Sequence, residues 1–170
     1  MGQYNFRLAE EQDKASIWVI LQQAIERRRL DGSKQWQDGY PNADTIQNDI
    51  EKQVGYVLLL NDEVIAYAAV LINDEPAYEA IEGKWLTNGD FVVVHRVAVS
   101  ESAMGKGVAQ RIFNNIEEVA LAKNIRSMKV DTNFDNLAML RILEKLDYVY
   151  CGEVFFRGAS RKAFEKVLKK

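Results

Sequence analysis

The run from Phe91 to Val99, FVVVHRVAV, constrains this chain more than any other segment. It is broken only by His95 and Arg96, and it is far short of the roughly 20 apolar residues that a membrane-spanning helix needs. A β-branched run of this length is a strand covered on both faces, which makes it the centre of a layered fold. After the loop from Ser100 to Lys106, Val108, Ile112, Ile116, Val119 and Ala120 recur as one apolar stripe, so a helix follows to about Lys123.

The flanking sequence supplies the rest of the α/β order. Tyr4 to Leu8 reads as a first strand, and Ile17, Leu21, Ala24, Ile25 and Arg28 mark a helix closing near Asp31-Gly32. Asn42 or Asp44 caps a second, short helix running to about Gln53. Tyr56 to Leu60 and Val64 to Ile72, joined at Asn61-Asp62, form a hairpin. Met128 to Asp131 is a strand, Leu137, Leu140, Leu143 and Leu146 mark a helix, and Tyr148 to Phe156 is strand-like. Phe164 and Val167, in the basic tail, fit a last strand. No repeat or linker interrupts the order, so residues 1–170 are expected to form a single domain.

Composition excludes several classes. Hydrophobic residues make up 48% and charged residues 28% of the 170 residues, with two prolines, the balance of a folded globular chain. A net charge of -3 gives no bulk attraction to nucleic acid or to an anionic membrane. The single cysteine, Cys151, leaves no internal disulfide and no multi-cysteine zinc site, and fits a reducing compartment. The N-terminus carries neither a signal-peptide core nor a myristoylation motif. A cytoplasmic protein without a metal is the expectation.

Met104-Gly105-Lys106-Gly107-Val108-Ala109 lies between the buried strand and its helix, where unpaired N–H groups at a helix start can receive an anion. Gly105 and Gly107 remove Cβ atoms, Lys106 adds charge, and Ala109 is small enough for close approach. Three readings compete. The glycines can serve turn geometry alone. A dinucleotide site needs a third glycine where Gln110 stands, although Asp131 imitates its ribose-binding acid. A Walker loop, the third, fails because no Gly-Lys is followed by Ser or Thr.

With its hydrophobic strand end Val97-Ala98-Val99 followed by Met104 to Ala109, the chain resembles the GCN5-related N-acetyltransferases (GNAT), whose signature is Q/R-x-x-G-x-G/A after such a strand. Asn136-Leu137-Ala138-Met139 and Leu143-Glu144-Lys145-Leu146-Asp147-Tyr148 resemble the family's later N-x-x-A/M and Y-E-K-L-G-F segments. Met104 replaces the usual glutamine or arginine, Leu143 a tyrosine that often protonates the CoA thiolate, and Asp147 a glycine. The resemblance implies a mixed, mostly antiparallel central sheet with splayed central strands and helices on both faces. It also implies acetyl-CoA as cosubstrate, with Val97, Ala98 and Val99 along the pantetheine arm, Met104, Gly105, Lys106, Gly107, Val108 and Ala109 at the pyrophosphate, and Asn136 as a further contact. Aspartate, like asparagine, tolerates the left-handed backbone that closing a helix at Asp147 requires.

Acetyl transfer to an amine needs a route for the amine proton and donors for the developing oxyanion. His95, the sole histidine, precedes Val97 by two residues, and period-two alternation places it on the face of Val97 and Val99. It is either the general base, as the histidine of arylalkylamine members of the family implies, or a strand histidine satisfied by a neighbouring group. Tyr148 and Tyr150 are the candidates near Leu143 for proton return, and Tyr148 is taken as the acid. Cys151, in an apolar strand, is read as structural. Trp36, Tyr40, Tyr78 and Trp85, with Gln37, Glu79 and Glu82, sit in two irregular segments that would flank the acceptor, or else cap the core. Aromatic walls and glutamates favour a cationic amine on a small molecule or peptide. The expected function is direct N-acetyl transfer from acetyl-CoA. The alternatives are an acyl-CoA-binding sensor without turnover and a nucleotide-dependent oxidoreductase, and pairing through the last strands into a homodimer is open.

Overall fold

The computed structural model describes residues 2–156 and 159–169. Among the described residues eight strands make a mixed, mostly antiparallel sheet, the fold class that the resemblance implied, accompanied by four α-helices; seven of the strands were expected. The chain divides into two compact units, one reaching Val70 and including Arg96–Asn115, the other comprising Leu71–His95 and the chain from Ile116 onward.

In the first unit, β1 (Tyr4–Leu8) is followed by α1 (Lys14–Leu30). The Asp13 carboxylate accepts from the Glu10 N–H and from Arg7 at 2.7 Å, tying the strand to the helix start. Helix α2 (Ala43–Glu51) begins at the expected cap: Asn42 accepts from the Thr45 N–H, while the Thr45 hydroxyl accepts from the Asn42 N–H. Strands β2 (Gly55–Leu60) and β3 (Glu63–Ile72) form the hairpin. Its two-residue turn holds Asn61 and Asp62 at φ of 50° and 67°, the left-handed pair that matches the twist of the strands. Strand β1 pairs antiparallel with β2. Ile17, Leu21, Ala24, Ile46, Val57, Tyr67 and Ala98 share the core of this unit, each of the larger side chains contributing about 1.5–3 kcal/mol by burial.

The second unit contains β4 (Glu82–Gly83), a short strand with no alternation to announce it. Strand β5 (Val92–Val99) begins here, and α3 (Val108–Ala122), β6 (Ser127–Thr132), α4 (Leu137–Lys145), β7 (Val149–Phe156) and β8 (Ala159–Val167) complete the chain order. Strand β8 is nine residues long and pairs antiparallel with both β6 and β7. The parallel β5–β6 ladder has two rungs, Val92 with Met128 and Val93 with Lys129, whereas β6 continues beside β8 as far as Thr132. The central parallel pair therefore parts after Val93, as a splayed pair should. Helix α4 closes on Asp147 at φ 68°, and the Tyr148 N–H donates to the Leu143 carbonyl, so aspartate fills the left-handed position usually given to glycine. Strands β4 and β7 cross at Gly83 and Gly152, where a Cβ on either residue would run into the backbone of the other strand.

Candidate functional site

In the first unit the loop before α3 folds as one short helical turn, Glu101–Ala103, held by the Glu101 N–H donating to Gln23 Oε1 at 3.0 Å. Ala103 is buried beneath it and Met104 is exposed. Gly105 and Gly107 take φ of 77° and 73°, and a Cβ on either would meet nothing within 4 Å. Handedness, not crowding, selects glycine at both positions, and the space beside their backbone is open. The first helical bond of α3 runs from the Arg111 N–H to the Gly107 carbonyl. Among the described residues, none of the six N–H groups from Gly105 to Gln110 has an acceptor. Six consecutive donors, the exposed Lys106 and open space suit a pyrophosphate.

Strand β5 reaches this loop through a distortion. Arg96 adopts φ 57° in mid-strand, a conformation that costs an L-residue roughly 1–2 kcal/mol. Strict alternation is interrupted there, so the period-two argument linking His95 to Val97 and Val99 does not carry across it. The Arg96 side chain is buried in an ion pair. It donates to both Asp49 oxygens, at 2.9 and 2.6 Å, and to the Tyr40 hydroxyl at 2.6 Å. Burial opposes its charge, but these contacts outweigh burial and raise its pKa. Asp49 also accepts from the buried Tyr67 hydroxyl, and a Cβ on Gly55 would strike that hydroxyl. Trp36, at φ 64°, packs in the core of the first unit with the Arg28 guanidinium 3.8 Å from its ring centre. Trp36 and Tyr40 are thus held by core and ion-pair contacts.

In the second unit His95 Nε2 lies 2.8 Å from Glu75 Oε2, a residue that sequence reasoning did not single out. Burial would raise the Glu75 pKa, but His95, the Ala77 N–H and Arg161 together lower it. An ionised Glu75 only accepts, so Nε2 is the donor in this contact, and in the neutral imidazole the lone pair is then on Nδ1. Among the described residues Nδ1 has no partner.

Glu75 also lines a cavity of about 410 Å³ whose walls come from the segment 73–91 and from Lys129. Tyr78 and Trp85 line it together: the Trp85 indole N–H donates to the Tyr78 carbonyl at 2.9 Å. The Tyr78 hydroxyl is turned away, donating to Asp131 at 2.6 Å, and Arg161 donates to the other Asp131 oxygen. Asp131 is therefore engaged within the protein, which removes the ribose-binding acid from the dinucleotide reading. Glu79 and Asp74 add negative charge to the wall and Lys129 adds positive charge, so the cavity is not simply anionic. Fully buried Glu165 fastens the wall, accepting from the Leu86 N–H at 2.7 Å, from the Thr87 hydroxyl, and from the Ser127 hydroxyl at 2.6 Å.

The remaining candidates have structural surroundings. Tyr148 is buried with its hydroxyl 3.9 Å from Met128 Sδ, and burial, aided by Glu117, pushes its pKa far up. Asn136 caps α4 by accepting from the Met139 N–H at 3.2 Å. Burial likewise raises the Cys151 pKa, and its thiol donates to the Val149 carbonyl. Among the described residues no group of acidic, histidine or cysteine side chains is placed to hold a metal, and no helix is long and apolar enough to cross a membrane.

Residues 21–148 match the model of the acetyltransferase (GNAT) family. Among solved structures, a GNAT-family acetyltransferase from Streptococcus agalactiae 2603 is 34% identical, with a TM-score of 0.91 over 98% of this chain and 96% of its own. A GNAT-family acetyltransferase from Listeria monocytogenes, 15% identical, shares the fold with a TM-score of 0.78 over 97% and 95% of the two chains. The Salmonella typhimurium protein yncA, solved with its cofactor acetyl-CoA, is 17% identical with a TM-score of 0.68 over 98% and 95%. No curated protein matches. The family match over most of the chain, and the close likeness to the streptococcal structure, agree with the strand, loop and helix described above: the chain belongs to the acetyltransferase (GNAT) family.

Proposed function

We propose that this chain transfers an acetyl group from acetyl-CoA directly to a primary amine. The observation that carries the proposal is the run of unpartnered N–H groups from Gly105 to Gln110 beside two open left-handed glycines. In this reading those groups and Lys106 bind the cofactor's pyrophosphate, while the backbone of Val97 to Val99 lies along its pantetheine arm. When bound, acetyl-CoA supplies an activated carbonyl at which an N–C bond forms as the C–S bond breaks. His95 Nδ1 accepts the amine proton. Glu75 holds the imidazole in the required tautomer and stabilises the imidazolium that results. Leu143 can return no proton to sulfur, and the Tyr148 hydroxyl faces Met128, so that proton is assigned to solvent.

Gly107→Trp tests the cradle by adding a bulky side chain at a left-handed position beside the open backbone. Acetyl-CoA should then bind at least thirtyfold more weakly by calorimetry, with the fold retained by circular dichroism. Unchanged affinity would sink the assignment. His95→Ala tests the base: amine turnover should drop about a hundredfold, most strongly at low pH where the amine is hardest to deprotonate. An unaltered pH–rate profile would remove His95 from the mechanism. Buried Leu143 at the family's tyrosine position favours a second reading, an acyl-CoA sensor, which predicts cofactor binding without release of free thiol.

A further inference from the structure

Lys129 stands on β6 with 4% of its surface exposed, and it is the only cation lining the cavity among the described residues. Its ammonium lies 4.3 Å from the centre of the Trp85 ring and 3.9 Å from that of Phe91. It makes no hydrogen bond or ion pair with any described residue. Glu165 acts on it through its field, but the oxygens of that carboxylate are taken by Leu86, Thr87 and Ser127. Two ring faces return only part of the hydration that a buried ammonium gives up. Burial accordingly lowers the Lys129 pKa. A methionine would pack between the same rings without that penalty, so the charge has another use. Lys129 itself lines the cavity.

The same cavity carries the opposite sign in Glu75, which is paired with His95, and in Asp74 and Glu79. Its volume suits a molecule of amino-acid size. We infer that the acceptor is a small zwitterion, an amine bearing its own carboxylate: Lys129 holds the carboxylate, and the amine lies toward Glu75 and His95. The inference rests on the acetyl-transfer reading above and refines the expectation of a purely cationic amine. The carboxylate is neither made nor broken, and the only covalent change is the transfer already described.

The test compares free-thiol release from acetyl-CoA with a pool of L-amino acids and with the matched pool of their decarboxylated amines, at equal concentration. Wild-type protein should favour the amino acids by roughly tenfold to a hundredfold, the effect of one charge-assisted contact. In Lys129→Met the KM for amino acids should rise by that factor and the preference should collapse, while half-saturation by acetyl-CoA stays put. Lys129→Arg should restore the preference, which a merely packing residue would not do. Equal or faster turnover of the amines by wild type would overturn the inference, and that comparison needs no variant to fold. If acetyl-CoA raises the melting temperature but neither pool is acetylated, the zwitterion is refuted and the cofactor site stands. If acetyl-CoA does not stabilise the protein at all, the acetyl-transfer reading fails, and the inference fails with it.

Discussion

Asp49→Ala is expected to lower the unfolding free energy by about 4 kcal/mol. The carboxylate is 2% exposed and answers three donors: two from Arg96, whose side chain is 11% exposed, and the Tyr67 hydroxyl. Removing it strands a guanidinium in the core with Tyr40 as its remaining partner within the network, and leaves a fully buried phenol without its acceptor. Breaking one side of a buried ion pair typically costs about 3–5 kcal/mol, and relaxation around the smaller alanine recovers part of the additional hydroxyl penalty. For a chain of this size the melting temperature should drop by about 8–16 °C. The double variant Asp49→Ala with Arg96→Met should regain a substantial part of the loss, because no unpaired charge is left behind. Urea melts of the two variants decide the matter. A loss under about 1 kcal/mol for the single variant would show that the pair is not a keystone of the first unit.

The second large effect is expected at Glu165. Its side chain is completely buried on β8 and accepts from one backbone N–H and two hydroxyls, all contributed by remote parts of the second unit. Glu165→Ala should cost about 3 kcal/mol, since three donors lose a charged acceptor at once. The damage should also be local. Leu86 and Thr87 belong to the segment that walls the cavity, so hydrogen exchange at the Leu86 amide should accelerate well beyond the change in global stability. Glu165→Gln keeps the shape and two of the acceptor roles, and should lie between. Full protection of the Leu86 amide in the alanine variant would show that the wall is held by other contacts.

Elements with a strong internal period were legible from the chain alone. The stripe from Val108 to Ala120, the Asn61-Asp62 hairpin and the Asn42 cap each carry their cause within a few residues. Asp147 was legible for the same reason, because a helix end asks for a left-handed residue at one defined place. Strand β4 was not: two residues cannot display alternation, and its pairing depends on a close crossing with Gly152, far away in sequence.

The site divides along the same line. The cradle from Met104 to Ala109 is local backbone chemistry, so the glycines disclose it. Glu75, Lys129 and Glu165 are single charged residues, and nothing near them in sequence distinguishes a buried charge from a solvated one. Their partners stand 20 residues away for Glu75 and His95 and 79 for Glu165 and Leu86. Trp36 and Tyr40 could be read from the sequence either as an acceptor wall or as a core cap, and their contacts are a packed core and a buried arginine.

The sandwich of Lys129 between Trp85 and Phe91 also gives the protein an optical handle. Three tryptophans are present, and Trp85 is the one whose indole lies against a cation in the wall of the cavity while its N–H is fixed to the Tyr78 carbonyl. An anion that draws the ammonium off the ring alters the field felt by the indole. The fluorescence difference between the wild-type protein and Trp85→Phe therefore isolates events in that cavity from the emission of Trp18 and Trp36, and acceptor binding can be followed in solution without a label and without turnover.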